Sequence, residues 1–303
     1  MIVRKRRSAV ALLFAVHGSV LPRIALHILC AGLFGALVAA VDRIHLATVA
    51  QYTTSPFTLL GIALSIFLGF RNNAAYDRWW EARKQWGQMV YEVRSLARVS
   101  ATLLGENDAL RRELLDWVSA YAHALRGCLR QLDVSDALRS AVGERHATAA
   151  LAGRNPADYC MREMGRVVGR AFQAGRVDGQ GLRILDERLT GLASVQAATE
   201  RIWSTPLPYA YTLLVHRTAY LYCYLLPFGL VGSMGWFTPL FTAIVAYTFF
   251  GLDALAEELE QPFGETPNAL SLDALCRVVD ISIAEALGEP APLPLQPVNH
   301  ILL

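Results

Sequence analysis

The chain lacks the cysteine spacing of a metal knuckle or a redox motif. Cys30, Cys128, Cys160, Cys223 and Cys276 are isolated and no C-x-x-C occurs, so all five read as free thiols rather than a disulfide framework. Its seven histidines never occur as H-x3-H, which leaves no metal site by local pattern. A G-x-S-x-G turn, a Walker loop and a G-x-G-x-x-G fingerprint are all missing, and with them the common hydrolase and nucleotide-binding chemistries. Strand-type alternation, internal repeats and low-complexity linkers are lacking too. Charge is sparse and balanced, with 28 Lys and Arg against 26 Asp and Glu, so bulk charge names no partner.

What the chain has is apolar surface: 54% of its 303 residues are hydrophobic, too many for an ordinary soluble domain of this size. That surface is unevenly distributed, which points to a membrane protein with a large soluble part. Four segments read as candidate spans. Leu21 to Val41 has about the 20 residues a bilayer requires, with Arg23 able to snorkel to a basic side. Phe57 to Phe70 is short for a lipid-facing span and suits an inner, shielded helix. Tyr209 to Val231 and Trp236 to Leu252 follow, separated by Gly232-Ser-Met-Gly235, with Pro227 and Pro239 expected to kink them or mark their ends.

Arginine placement sets the orientation. Residues 1 to 20 carry four Lys or Arg and residues 71 to 200 carry nineteen, against Arg43 alone in the loop 42 to 56 and none in 232 to 235. Four spans then put both termini and the large middle region in the cytosol. Arg4-Lys-Arg-Arg7 followed by Ala9 to Val16 resembles the start of a secretory signal, but its apolar part is short and no clean cleavage site precedes His17. A retained basic segment leading to a short interfacial helix is the preferred reading, with a signal peptide as the alternative.

Residues 71 to 200 are helical in pattern, as in Leu114 to Leu125 and Leu182 to Leu192, with turns expected at Gly153 to Asp158 and Gly175 to Gly181. Glu289 to Pro297 reads as an extended tail. The whole is an all-α integral membrane protein. Its transmembrane portions are about 21–70 and 209–252, and its cytosolic helical portions about 71–208 and 253–303.

The most informative stretch is Phe57 to Leu96. Thr54-Ser55-Pro56 supplies an N-cap and a first-turn proline, and nothing breaks the helix until well past Trp86. At about 100° per residue, Ile62, Ile66 and Phe70 form an apolar ladder at roughly 0°, 40° and 80°. Asn73 and Asp77 continue that stripe, whereas Arg71 and Arg78 fall on the opposite side. Gly61, Ser65 and Gly69 are small enough to let neighbouring helices approach closely. On the residues alone, the ladder is either core or the lining of a passage.

Other charged and aromatic groups have ordinary readings. His216 and Arg217 inside the third span form the most enzyme-like pair, with a hydrogen-bonding role between helices as the simpler explanation. Glu257, Glu258, Glu260 and Asp253 form the densest acidic group, and Glu257 and Glu258 are expected to pair with cytosolic arginines. Trp79, Trp80 and Trp86 among basic residues suggest interfacial anchoring and packing rather than nucleic-acid stacking. No catalytic residue is assigned, and no cofactor, metal or nucleic-acid partner is expected.

The run Phe67-Leu-Gly-Phe-Arg-Asn-Asn-Ala-Ala-Tyr-Asp-Arg-Trp-Trp-Glu-Ala-Arg83 resembles the signature of the bestrophin family in its bacterial branch. His17-Gly-Ser19, Ser204-Thr-Pro-Leu-Pro208, Leu255-Ala-Glu-Glu-Leu-Glu260 and Pro262-Phe-Gly264 match in the family's order. The resemblance implies a homopentameric ion channel in the bacterial inner membrane, a single bestrophin-like unit over residues 1–303. It identifies Ile62, Ile66 and Phe70 as pore-neck positions and aligns Gln180 with the cytosolic aperture, usually apolar in the family. Asn73 and Asp77 would then face the vestibule. A surface-loop role for Gln180 stays open. Glu265 is followed by Thr266-Pro-Asn-Ala-Leu270, without the carboxylates of the calcium clasp in animal members. Animal and plant bestrophins conduct anions and bacterial ones include cation conductors. Asp77 on the pore stripe leans the expectation toward small monovalent cations such as Na and K, with chloride conduction, a secondary transporter or a membrane scaffold as alternatives.

Overall fold

The computed structural model describes residues 1–2, 15–16, 18–44 and 54–302. The basic N-terminal segment, its expected interfacial helix, His17 and most of the loop 42–56 lie outside the described residues. Every regular element among those described is helical, and β-pairing is confined to isolated bridges near the chain ends, Ile2 with Ile301 and Val298 with Ile301.

The helices are α1 (Leu21–Arg43), α2 (Ser55–Leu104), α3 (Ala109–Arg130), α4 (Ser135–Val142), α5 (Glu144–Leu151), α6 (Pro156–Gln173) and α7 (Gly179–Ser204). They continue with α8 (Tyr209–Met234), α9 (Thr238–Leu259) and α10 (Leu272–Leu287), and a single 3-10 turn, Gly235–Phe237, joins α8 to α9. Three stretches are long and apolar enough to cross a membrane: Leu21–Arg43, Ser55–Leu104 and Tyr209–Leu259. The last consists of α8 and α9 together.

Contacts divide the chain into two compact units, each built from separated pieces. One comprises Lys5–Trp79 and Pro206–Gln261, and the other Met1–Arg4, Trp80–Thr205 and Pro262–Leu303. In the first, Ile24, Leu64, Leu68, Ala219, Cys223 and Phe250 are among the buried residues of an apolar core. Close packing there depends on glycine. A Cβ on Gly61 would stand 2.7 Å from the Tyr222 hydroxyl, and one on Gly229 would stand 2.5 Å from the Phe57 ring. Gly69 meets nothing within 4 Å and Ser65 is exposed. Of the two glycines singled out, Gly61 is the one whose added Cβ would meet a neighbour among the described residues.

In the second unit, Trp86, Met89, Val93 and Leu96 bury one stripe of α2, and Leu114, Trp117 and Tyr121 bury one face of α3. The Tyr121 hydroxyl donates to the Leu192 carbonyl at 2.9 Å, so this core aromatic meets its polar requirement inside. Caps are local and readable: Asp108 accepts from Leu110 N at 2.7 Å, Asn155 from Asp158 N at 3.1 Å, and Asp178 from Gly181 N at 2.7 Å. Arg130 holds the Pro262 to Leu270 segment, donating to the carbonyls of Phe263 and Leu270 while pairing with Asp273 at 2.9 Å.

The element ends correct several sequence expectations. Pro156 to Asp158 and Gly179 to Gly181 are helical rather than part of turns, because Asn155 and Asp178 cap helices that begin at once. Gly232 to Met234 are helical as well, and the reversal falls at Gly235, where φ is +49°. Pro227 sits inside α8, whereas Pro239 marks the start of α9.

Candidate functional site

The two faces of α2 differ sharply in the first unit. Leu64, Leu68, Arg71 and Ala75 are buried, at spacings of four, three and four residues. Ile62, Ile66 and Phe70 are 55%, 51% and 61% exposed, and Asn73 and Asp77 are exposed below them in sequence. The structure thus brings all five predicted neck and vestibule positions onto one outward stripe. Gln180 belongs to the other unit, exposed in the first turn of α7 rather than on a loop.

Polar contacts fix the opposite face. Arg71 is 1% exposed and its guanidinium pairs with Asp253 and, at 2.9 Å, with Glu260. His216 Nδ1 lies 2.6 Å from the other Asp253 oxygen. A charge removed from water must be paired and hydrogen-bonded to persist, and Asp253 serves one cation and one imidazole at once. Around this cluster, Asn72 donates to the carbonyls of Leu68 at 3.0 Å and Leu252 at 3.1 Å. Arg78 donates to the Glu260 carbonyl at 2.8 Å, and the Tyr211 hydroxyl to the Phe67 carbonyl at 2.9 Å. α2 is therefore held against α8 and α9 in one rotational setting, which is what keeps the Ile62, Ile66 and Phe70 stripe outward.

Of the acidic group, Glu257 pairs with an arginine, but with Arg23 of the first apolar segment rather than one of the middle region. Asp253 and Glu260 take the buried Arg71, a role the sequence reading did not assign. The available signal was positional: Arg71 directly follows an apolar run and Asp253 closes another, and ionisable groups at such depths seek each other. His216 makes the expected helix-to-helix hydrogen bond, while Arg217 is exposed. Beside the cluster, Arg23, His27, His216, Tyr220 and Glu257 line a cleft of about 300 Å³. Among the described residues, no three His, Cys, Asp or Glu side chains are grouped to hold a metal ion.

The second unit holds a histidine–carboxylate contact of its own. His123 lies 3.1 Å from both oxygens of Asp280, and Ser119 donates to the same carboxylate at 2.8 Å. Burial works to raise the Asp280 pKa, but His123, Ser119 and Arg277 together hold it below the ordinary value. Burial pushes the Cys160 thiol up to about 12, so it is inert as a nucleophile.

Comparison with known proteins gives a consistent result. A family model described as Bacterial/Fungal Bestrophin protein matches residues 1–285. A voltage-dependent anion channel-forming protein of Mesorhizobium japonicum is 52% identical over 293 residues, covering 96% of this chain and 94% of the relative. The voltage-dependent anion channel-forming protein YneE of Escherichia coli K12 is 38% identical over 304 residues, covering both chains completely. The crystal structure of a bacterial bestrophin homologue from Klebsiella pneumoniae superposes with a TM-score of 0.85 at 35% identity, covering 88% of this chain and 99% of that one.

Proposed function

Because the chain belongs to the bacterial and fungal bestrophin family, we propose that it forms a passive channel for small monovalent ions, built from five copies around one axis. Each copy crosses the inner membrane four times and keeps both termini in the cytosol. Ile62, Ile66 and Phe70 ring the neck, Asn73 and Asp77 line the vestibule, and Gln180 carries a second constriction, the cytosolic aperture. The observation that carries this reading is the outward stripe of α2. It changes from bulky apolar to polar between Phe70 and Asn73 while its reverse face is locked by Arg71, Asp253 and Glu260. Three stacked apolar rings offer a hydrated ion no hydrogen-bond partner, a constriction that gates by dewetting. The glutamine makes the aperture wetter than an apolar residue would.

The permeating species is a small anion. The Mesorhizobium japonicum and Escherichia coli relatives, both named as voltage-dependent anion channel-forming proteins, support that sign. A cation reading rests on Asp77, exposed on the stripe while Arg71 and Arg78 are turned to the protein interior side of α2. The reversal potential of the purified protein in a planar bilayer under a NaCl gradient separates the two. A value near the chloride potential supports the anion channel. A value near the sodium potential that weakens in Asp77→Asn supports the cation channel, and absence of current overturns both.

A further inference from the structure

Apolar rings impose no charge sign, so selectivity must come from side chains elsewhere. Most arginines of the helical second unit are neutralised by carboxylates, among them Arg112, Arg126, Arg130, Arg176 and Arg188. Arg94 and Arg98 are not. They stand one turn apart on α2, both exposed, and no carboxylate of the described residues pairs with either. Arg94 Nε donates to the Ser282 hydroxyl at 3.1 Å, which steadies the guanidinium without cancelling its charge. With Gly87, Val90, Tyr91 and Ser95 they line an open notch of about 460 Å³ that contains no acidic side chain. Gly87 leaves the notch without a side chain at that position, and Arg83 Nη1 lies 3.5 Å from where its Cβ would be. Arg83 too has no carboxylate partner among the described residues.

Like charges four residues apart on a helix weaken it, so this spacing does not serve helix stability. Guanidinium groups present forked donors that fit small anions, and an anion in the notch relieves their repulsion. Arg94 and Arg98 belong to the same helix, α2, that carries Ile62, Ile66 and Phe70.

We propose that Arg94 and Arg98, with Arg83 across Gly87, form a binding site for a small inorganic anion and set the charge selectivity of the channel. This assignment rests on the pore reading of α2 and on anion conduction. Two measurements test it. The first is the reversal potential under a NaCl gradient for the wild type, for Arg94→Gln with Arg98→Gln, and for Arg94→Glu with Arg98→Glu. The expected result is chloride selectivity in the wild type, a several-fold lower chloride-to-sodium permeability ratio in the glutamine pair, and inversion in the glutamate pair. An unchanged ratio in assembled variants overturns the site and leaves the anion channel standing. Sodium selectivity in the wild type overturns the anion reading and the site with it.

The second covers a glutamate pair that fails to assemble. Melting of the purified wild type in chloride against gluconate, at constant ionic strength, is expected to rise in chloride and to lose that rise in the glutamine pair. A rise that persists in the glutamine pair overturns the site.

Discussion

The guanidinium of Arg71 on α2 pairs with the carboxylate of Asp253 on α9, immediately behind the outward-facing Phe70. Position 71 is thus where the apolar ladder ends on one face and a buried ion pair begins on the other. Replacing Arg71 by Gln leaves Asp253 and Glu260 without their cation, and is expected to cost about 3–5 kcal/mol. Thermal melting of the detergent-solubilised protein checks this. A melting point unchanged from wild type would show that the pair does not hold α2.

Ile66→Ala addresses the ladder itself. The side chain is half exposed within one copy, so truncation is expected to change the stability of the single copy by about 0.5 kcal/mol or less. Conductance or gating should change while the oligomer survives. Unaltered single-channel currents from an intact assembly would remove Ile66 from the pore.

Glycine packing gives a contrast between two positions. Gly229→Ala drives a Cβ into the Phe57 ring and is expected to destabilise by about 1–3 kcal/mol through overpacking. A Cβ at Gly69 meets nothing within 4 Å among the described residues, so Gly69→Ala should leave the melting of a dissociated copy unaltered or slightly raised by helix propensity. If Gly69→Ala weakens only the assembled oligomer, the helix surface around Gly69 is in contact with another copy.

Asp116 provides a pH dependence with a definite sign. Burial raises its pKa, Arg112 opposes the shift, and Glu289 and Glu113 add to it. The folded protein holds this proton to higher pH than the unfolded chain, so stability falls as pH rises from the ordinary carboxylate value through the folded one. Asp116→Asn is accordingly expected to melt higher than wild type at neutral pH and to lose that advantage below the ordinary carboxylate range. A melting difference independent of pH would be inconsistent with ionisation as the cause.

Much of this was legible in the sequence because it depends on local periodicity. The apolar segments, the helical middle and the phase of Ile62, Ile66 and Phe70 all follow from one helix geometry applied along one uninterrupted run. What was not legible required distant residues to meet. Arg71 and Asp253 are 182 positions apart, and no spacing rule selects Asp253 over Glu257 or Glu258. Helix ends were missed for another reason. Pro156 to Asp158 and Gly179 to Gly181 read as turns from their proline, glycine and aspartate content, yet helices begin there directly behind the caps Asn155 and Asp178. Gln180 is a third case, exposed at the start of a capped helix, where only a resemblance singled it out.

Three of the bonds that set the rotation of α2 end on main-chain oxygens: Asn72 on Leu252, Arg78 on Glu260, and Tyr211 on Phe67. A carbonyl is supplied whatever side chain its residue carries. The seam therefore has an asymmetric tolerance to evolutionary drift: Leu252 and Phe67 are free to vary in side chain without loosening these bonds, while Asn72, Arg78 and Tyr211 are not. Residues that supply only a carbonyl can therefore diversify on either side of the seam without re-aiming α2.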